Sequence, residues 1–148
     1  MMYVVATFLF VWIWTPTQVE EVTLEGWELL SDVKVMRVYD DFMESEIEKP
    51  EFGEELKERN KTVIELEGFV IPLEQFSDVD YFVLSRFPYQ SCFFCGNAGP
   101  ETVVEIYTTK KWSLQDQKVR VSGTLHLNAK DPLHLYFIMR NCSVEILD

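Results

Sequence analysis

The strongest constraint on the fold is a segment near the carboxyl terminus in which apolar and polar residues alternate. Residues 119–128 read VRVSGTLHLN. One face carries Val119, Val121, Leu125 and Leu127, and the other carries Arg120, Ser122, Thr124 and His126. A side-chain period of two is that of a β-strand with one buried face. The segment therefore predicts a strand that contributes its odd-numbered residues to a core.

Five other segments are also rich in β-branched and aromatic residues, as strands are. They are VKVMRVYD (33–40), KTVIELEGFVIPLE (61–74), YFVLSRF (81–87), TVVEIYT (102–108) and LHLYFIMRNCSVEIL (133–147). The second becomes apolar on both faces after Gly68, which predicts a bend between two sheets with the Gly at a bulge. The last contains Arg140 and Asn141, where we expect an interruption. Residues 128–132, NAKDP, predict the preceding turn.

These segments predict a mainly β protein. A long, Gly-bent first strand, four further strands and a final hairpin favour a small five- or six-stranded OB-like Greek-key barrel. One short helix is expected within Pro50–Arg59, where Phe52 and Leu56 lie four residues apart. An immunoglobulin-like sandwich is the alternative, but it requires about seven regular strands.

Length and charge limit the domain organisation and the class of ligand. The 148 residues suit one domain, which we expect over 27–148, with the barrel in 61–148 and an acidic segment in 19–60. Of the net charge of −12, residues 20–60 contribute −9, and this excess predicts a solvated surface. A nucleic-acid partner is disfavoured, because binding to phosphates needs surplus Lys and Arg.

The amino terminus carries an apolar run, MMYVVATFLFVWIW (1–14), followed by the polar residues 15–18. As a helix the run would extend roughly 21 Å, which is short of the roughly 30 Å hydrocarbon core of a bilayer. It is typical of an export signal, although no basic residue precedes it and no Ala-x-Ala site follows it. We therefore predict an export segment over residues 1–18, with a buried aromatic strand as the alternative.

The segment that carries most chemical information is SRFPYQSCFFCGNAGPE, residues 85–101. Cys92 and Cys95 form a Cys-x-x-Cys pair, and Gly96 follows. A tight turn of this kind can direct both sulfurs at one point, and the Gly permits a positive φ. The pattern predicts half of a zinc-knuckle site, for which zinc or copper(I) suits the thiolates.

The remaining metal ligands have several candidates. His126 lies on the polar face of its strand and is our tentative third ligand, while His134 follows a turn and is equally unconstrained. Cys142 shares its parity with Val144 and Ile146, so we expect it to be buried as a small apolar residue. A carboxylate or a second subunit could also complete the site.

Two other uses of the cysteines stay open. In an exported protein the pair could form a structural disulfide, in which case the surrounding aromatic residues would serve a protein-interaction module. It could also exchange electrons as a thiol–disulfide oxidoreductase, although no helix start after a strand activates a thiolate. The sequence contains no G-x-S-x-G, phosphate-binding Gly loop or H-E-x-x-H motif, so it disfavours an enzyme, and no small-molecule substrate is indicated.

A set of short motifs resembles the bacterial domain-of-unknown-function family 3299. The motifs are WELL (27–30), PEF (50–52), EGFVIPL (67–73), FVL (82–84) and the segment around Cys92. The resemblance implies a small exported or lipoprotein-type OB-like domain, associated in some members with ABC-transporter gene clusters and with metal handling. A common form of the family has Ile-His and a Pro-rich run after the Cys. Here residues 93–96, FFCG, replace that run, so the resemblance carries over Cys92 alone.

Together the motifs predict an exported binding or accessory module, periplasmic or membrane-associated. We expect it to handle a metal beside a membrane transporter, through a half-site formed by Cys92 and Cys95. Its partner would be a protein or a transporter component.

Overall fold

The computed structural model describes residues 26–41, 43–71, 79–91, 93–96, 98–113 and 117–147. In chain order its elements are α1 (Gly26–Leu30), β1 (Val33–Asp40), β2 (Ser45–Phe52), α2 (Glu54–Glu58), β3 (Val63–Ile71), β4 (Val79–Ser85), β5 (Val103–Trp112), β6 (Lys118–Leu127) and β7 (Phe137–Leu147). The predicted export segment, residues 1–18, lies outside the described residues. Within the described part of the chain, every helix is too short or too polar to cross a membrane.

Five strands form a closed barrel in the order β3-β4-β5-β7-β6. All neighbours are antiparallel except β5 and β7, which run parallel. The predicted OB-like Greek-key barrel is confirmed, and the sandwich alternative is wrong because a single sheet closes on itself. A separate antiparallel hairpin, β1–β2, precedes the barrel.

The barrel core consists of the inward side chains of the five strands, closed by residues from the two helices and from β2. Leu30 of α1, Leu56 of α2 and Phe137 of β7 are completely buried. Trp27 packs into the same cluster, and its Nε1 donates a hydrogen bond to the carbonyl oxygen of Glu67 at 2.7 Å. Within Pro50–Arg59, where one short helix was expected, only Glu54–Glu58 is helical, because Pro50–Phe52 belong to β2. The helix α1 is an additional helix.

Gly68 lies next to the place where β3 changes partner. β3 pairs with β6 from Val63 to Phe69 and with β4 from Phe69 to Ile71, so Phe69 pairs with both neighbours. The β3–β6 register runs through Gly68 without a shift, so the predicted bulge is absent there. Gly68 is needed instead because the carbonyl oxygen of Ser85 lies where a Cβ would stand.

The interruption predicted near Asn141 is present. The β6–β7 register shifts between Ser122 and Thr124, and Asn141 adopts a φ of 54°. Cys142 beyond it is 1% exposed, as its parity predicted. Its sulfur packs against Gly123, where a Cβ would collide with it.

Candidate functional site

The loop that joins β4 to β5 carries the Cys-x-x-Cys motif, and we call residues 86–102 the cysteine loop. Its described parts form short 3₁₀ turns at Tyr89–Ser91, Phe93–Cys95 and Pro100–Thr102. The turn at Phe93–Cys95 closes through a hydrogen bond from Gly96 N to Phe93 O at 2.9 Å. Gly96 has a φ of 75°, a conformation that a Gly after the motif permits.

A second loop opens at the same end of the barrel, because β5 and β7 are parallel neighbours and therefore begin at the same end. We call residues 128–136, which precede β7, the histidine loop. Phe93 of the cysteine loop and Leu135 of the histidine loop pack against one small cluster on the outer face of the barrel, formed by Ile71, Val83 and Val103. The two loops therefore cover the same patch.

The predicted site residues lie in different places in the structure and differ in their exposure. Cys92 lies outside the described residues, and Cys95 is exposed. His126 is half-buried on the outward face of β6, opposite Ile138. Cys142 is in the core, where burial raises the pKa of its thiol to about 12, so it stays protonated near neutral pH.

No group of three or more His, Cys, Asp and Glu side chains is arranged to hold a metal ion within the residues that the structure describes. Because Cys92 is not among these residues, the predicted pair with Cys95 stays a prediction, and so does His126 as its third ligand.

Beneath the two loops the structure contains a buried carboxylate that the sequence did not identify. Glu105 of β5 is 3% exposed. Its Oε1 accepts a hydrogen bond from Leu135 N at 2.6 Å, and its Oε2 lies 2.9 Å from Nδ1 of His134 and accepts from the Tyr107 hydroxyl at 3.1 Å. Both carboxyl oxygens of Glu105 therefore have polar partners although the side chain is buried, as buried polar groups require.

Two tyrosines complete the patch. The rings of Tyr81 and Tyr107 lie 5.0 Å apart, and the guanidinium of Arg140 lies 4.6 Å from the centre of the Tyr107 ring. Burial, followed by the charge of Glu105 and the hydrogen bond to it, raises the pKa of Tyr107 to about 12. The phenol therefore stays protonated and acts as a donor to the carboxylate.

Asn128 at the end of β6 organises the histidine loop. Its side-chain amide lies 2.8 Å from the carbonyl oxygen of Asp131, 3.2 Å from that of His134 and 3.1 Å from that of Leu135. Its Oδ1 accepts from the backbone N–H of Asp131 at 2.9 Å. These bonds fix the loop backbone, so His134 is held over Glu105 by the chain as well as by its own side chain.

Sequence reasoning missed Glu105 because a single acidic residue in TVVEIYT resembles any outward residue of an exposed strand. One signal was available: Glu105 has the parity of Val103, which is buried on the outer face. Two apolar faces on one strand indicate that something covers the outside. Which residue covers Glu105 could not be predicted from the sequence, because the position of His134 depends on the conformation of the histidine loop.

Comparisons with protein-family models, with curated proteins and with solved structures find no significant match to this chain.

Proposed function

We propose that the protein is a binding or accessory module that handles a thiophilic metal ion, zinc or copper(I), through Cys92 and Cys95. The observation that carries the proposal is the conformation after the motif. Cys95 ends a 3₁₀ turn and Gly96 takes a positive φ. A left-handed Gly directly after a Cys-x-x-Cys pair turns backbone N–H groups towards the sulfurs, as in a zinc knuckle.

Two further features of the described residues support a thiolate site in this loop. Cys95 is exposed, whereas Cys142 is buried and protonated and does not compete for a metal ion. Between Arg86 and Glu101 the loop has no charged residue, so the thiolates would be its dominant charges.

We also propose export to the periplasm or the membrane surface, a role beside a membrane transporter, and the relationship to family 3299. These rest on the apolar run of residues 1–14 and on the motifs of that resemblance. An OB-like barrel agrees with the fold that the resemblance implies.

The proposal is tested by metal titration of the reduced full-length chain against a chromophoric chelator. We expect about one equivalent of zinc or copper(I) to bind, and both Cys92→Ser and Cys95→Ser to abolish binding. Cys142→Ala is the matched control and should bind like wild type. Less than about a tenth of an equivalent, unchanged in Cys92→Ser, contradicts the proposal.

A second candidate is a protein-interaction module in which the two cysteines form a structural disulfide. It is favoured by the apolar side chains that the two loops expose, since Phe94 is 48% exposed and Leu133 is 89% exposed. Thiol labelling of the folded, exported protein, after a chelator has removed any metal and without a reductant, separates the candidates, because Cys142 is buried and should not react. Two labelled thiols exclude the disulfide, and none supports it.

A thiol–disulfide oxidoreductase is a third, weaker candidate, since Cys95 belongs to a 3₁₀ turn of three residues rather than to the start of an α-helix. Turnover of a dithiol substrate above background would be needed to support it.

A further inference from the structure

We propose that two copies of this chain associate through the outer edge of β1, which joins their β1–β2 hairpins into one four-stranded antiparallel sheet. The proposal goes beyond the proposed function and does not depend on Cys92 or Cys95. Three observations carry it: the hairpin forms a separate sheet, its two edges differ in chemistry, and the charges of β1 match those of an antiparallel copy.

The hairpin is anchored to the barrel at its base. Phe52 is buried in the core, and Val33, its partner in the register, packs against the same cluster. Within the described residues β1 and β2 form a sheet of their own, and most of their side chains are exposed. A two-stranded sheet alone is marginally stable in water, and further strands stabilise it.

The two outer edges of the hairpin differ. The exposed large apolar side chains of the two strands lie on β1, where Val35 is 39% exposed, Met36 47% and Tyr39 65%. β2 instead carries Pro50 and three glutamates. Proline and charged side chains hinder further pairing of an edge strand, and β1 has no proline. Of the two edges, that of β1 is therefore the better suited to receive another strand.

The hydrogen-bond phase of the hairpin defines which backbone groups of β1 face outward. Gly53 N donates to Asp32 O at 2.8 Å, so these two residues form a hydrogen-bonded pair at the base of the hairpin. The register runs on from this pair without a shift, and the two kinds of pair alternate along an antiparallel ladder. Val35 opposite Pro50 is then a non-hydrogen-bonded pair, as a proline requires. The odd-numbered residues of β1 therefore direct their N–H and C=O groups away from β2.

An antiparallel second copy fits this edge best in one register. Because the odd-numbered residues face the edge, they must lie opposite odd-numbered residues of the copy. A two-fold axis at Arg37 places Lys34 of each copy opposite Asp40 of the other, and Val35 opposite Tyr39. Moving the axis by one residue in either direction leaves Lys34 opposite an uncharged residue. Opposite charges at directly opposed positions stabilise an antiparallel pair, so β1 is complementary to itself, as a two-fold interface requires.

The other charges of the hairpin are compatible with this register. Each Arg37 lies at the axis, but its guanidinium is 3.6 Å from the carboxylate of Glu48 in its own hairpin. Asp40 lies 3.5 Å from Nζ of Lys49, and a carboxylate can accept more than one donor. One strand per copy buries less than the roughly 1,200 Å² of a standard interface, so we expect a dimer that dissociates on dilution.

The first test needs no variant. Sedimentation equilibrium of the full-length chain from about 10 µM to about 500 µM should show monomer converting to dimer. In ¹⁵N NMR spectra over the same range, the amides of Val35, Arg37 and Tyr39 should shift and exchange more slowly with solvent, because they enter the new ladder. The amides of Met36 and Val38 should be protected throughout. A chain that stays monomeric, or a dimer that leaves the three outward amides unprotected, overturns the proposal.

Charge exchange tests whether the partner is a second copy in this register. Lys34→Glu and Asp40→Lys each place like charges opposite one another, so each alone should dimerise about tenfold more weakly. An equimolar mixture of the two variants should recover association, because each supplies the charge that the other lacks. Lys57→Glu, which makes the same change of charge on α2, is the matched control and should dimerise like wild type.

A further variant avoids Asp40, whose Oδ1 also accepts from Met43 N at 3.1 Å in the turn. Val35→Pro leaves the β1–β2 ladder intact and removes one outward donor, so it should weaken the dimer at least tenfold. Folding of every variant is checked by circular dichroism. A dimer that either Lys34→Glu or Val35→Pro leaves unchanged has another interface and overturns the proposal, as does a mixture that stays monomeric.

Discussion

Glu105 and His134 lie 29 residues apart in the chain, yet Oε2 of the first is 2.9 Å from Nδ1 of the second. Because Oε1 also accepts the backbone N–H of Leu135, one strand carboxylate binds the histidine loop at two consecutive residues. Glu105 thus fixes the loop that covers the outer face of the barrel.

Removing this carboxylate should destabilise the protein. Glu105→Ala leaves Leu135 N, Nδ1 of His134 and the Tyr107 hydroxyl without their acceptor. We expect the free energy of unfolding, measured by urea titration at pH 7, to fall by about 3 kcal/mol. Glu145→Ala, at a glutamate that is 63% exposed, is the control and should lose less than about 1 kcal/mol. Equal losses in the two variants would contradict this role.

The free energy of unfolding should fall at alkaline pH because of Cys142. Burial raises the pKa of this thiol from 9.0 to about 12, so the protonated form stabilises the fold fully below pH 9, and that contribution is lost as pH rises towards 12. Between pH 8 and pH 10 the wild type should lose about 1.4 kcal/mol more than Cys142→Ala, because the thiol ionises in the unfolded chain only. If the pH profiles of urea unfolding for wild type and Cys142→Ala run parallel, this role of Cys142 is refuted. Tyr107→Phe is the control, since the contribution of Tyr107 changes above pH 10.

Gly123 should not accept a side chain. A Cβ there would collide with Sγ of Cys142 and press on the carbonyl oxygen of Arg140. We expect Gly123→Ala to cost about 1–3 kcal/mol in urea unfolding. In the Cys142→Ala background the cost should be smaller, because the sulfur is gone while the carbonyl group stays. A double-mutant cycle measures the difference, and additive effects would show that the two residues are not coupled.

Acid should weaken the outer face formed by β3, β6 and β7. The side-chain hydrogen bond from Arg120 lowers the pKa of Glu67 below 4.5, so this carboxylate contributes stability above pH 4.5 that is lost as pH falls through its folded-state pKa. Glu67→Gln should remove about 0.5 kcal/mol at pH 7 and flatten the profile between pH 5 and pH 3. Glu46→Gln, which removes an exposed carboxylate of the β1–β2 hairpin, is the control. A Glu67→Gln profile as steep as that of wild type would disprove the assignment.

The local features of this fold follow from residue type and spacing. Alternation predicts β6 and the buried face that carries Val121, because a strand with one apolar face must place it on a core. Parity predicts that Cys142 is buried, and the interruption near Asn141 follows from two polar residues in an apolar strand. The positive φ of Gly96 follows from its position after the Cys-x-x-Cys pair.

Features that depend on contacts between distant residues could be recognised only in the tertiary structure. The need for Gly68 lies in the carbonyl oxygen of Ser85 on the neighbouring strand, which no local pattern reveals. The extent of the hairpin was also missed, because Pro50 and Phe52 fit the start of a helix as well as the end of β2.

By itself, the sequence determined a mainly β chain with a Cys-x-x-Cys turn, because side-chain period and backbone preference act over a few residues. It named His126 as a tentative metal ligand and left His134 equally unconstrained, since no local pattern around a single histidine decides its role. Only the tertiary structure distinguished them, because the parallel pairing of β5 with β7 brings the histidine loop back over Glu105. A buried carboxylate must find donors, and two of the three it found, Leu135 N and His134 Nδ1, belong to a part of the chain that folding alone brings near.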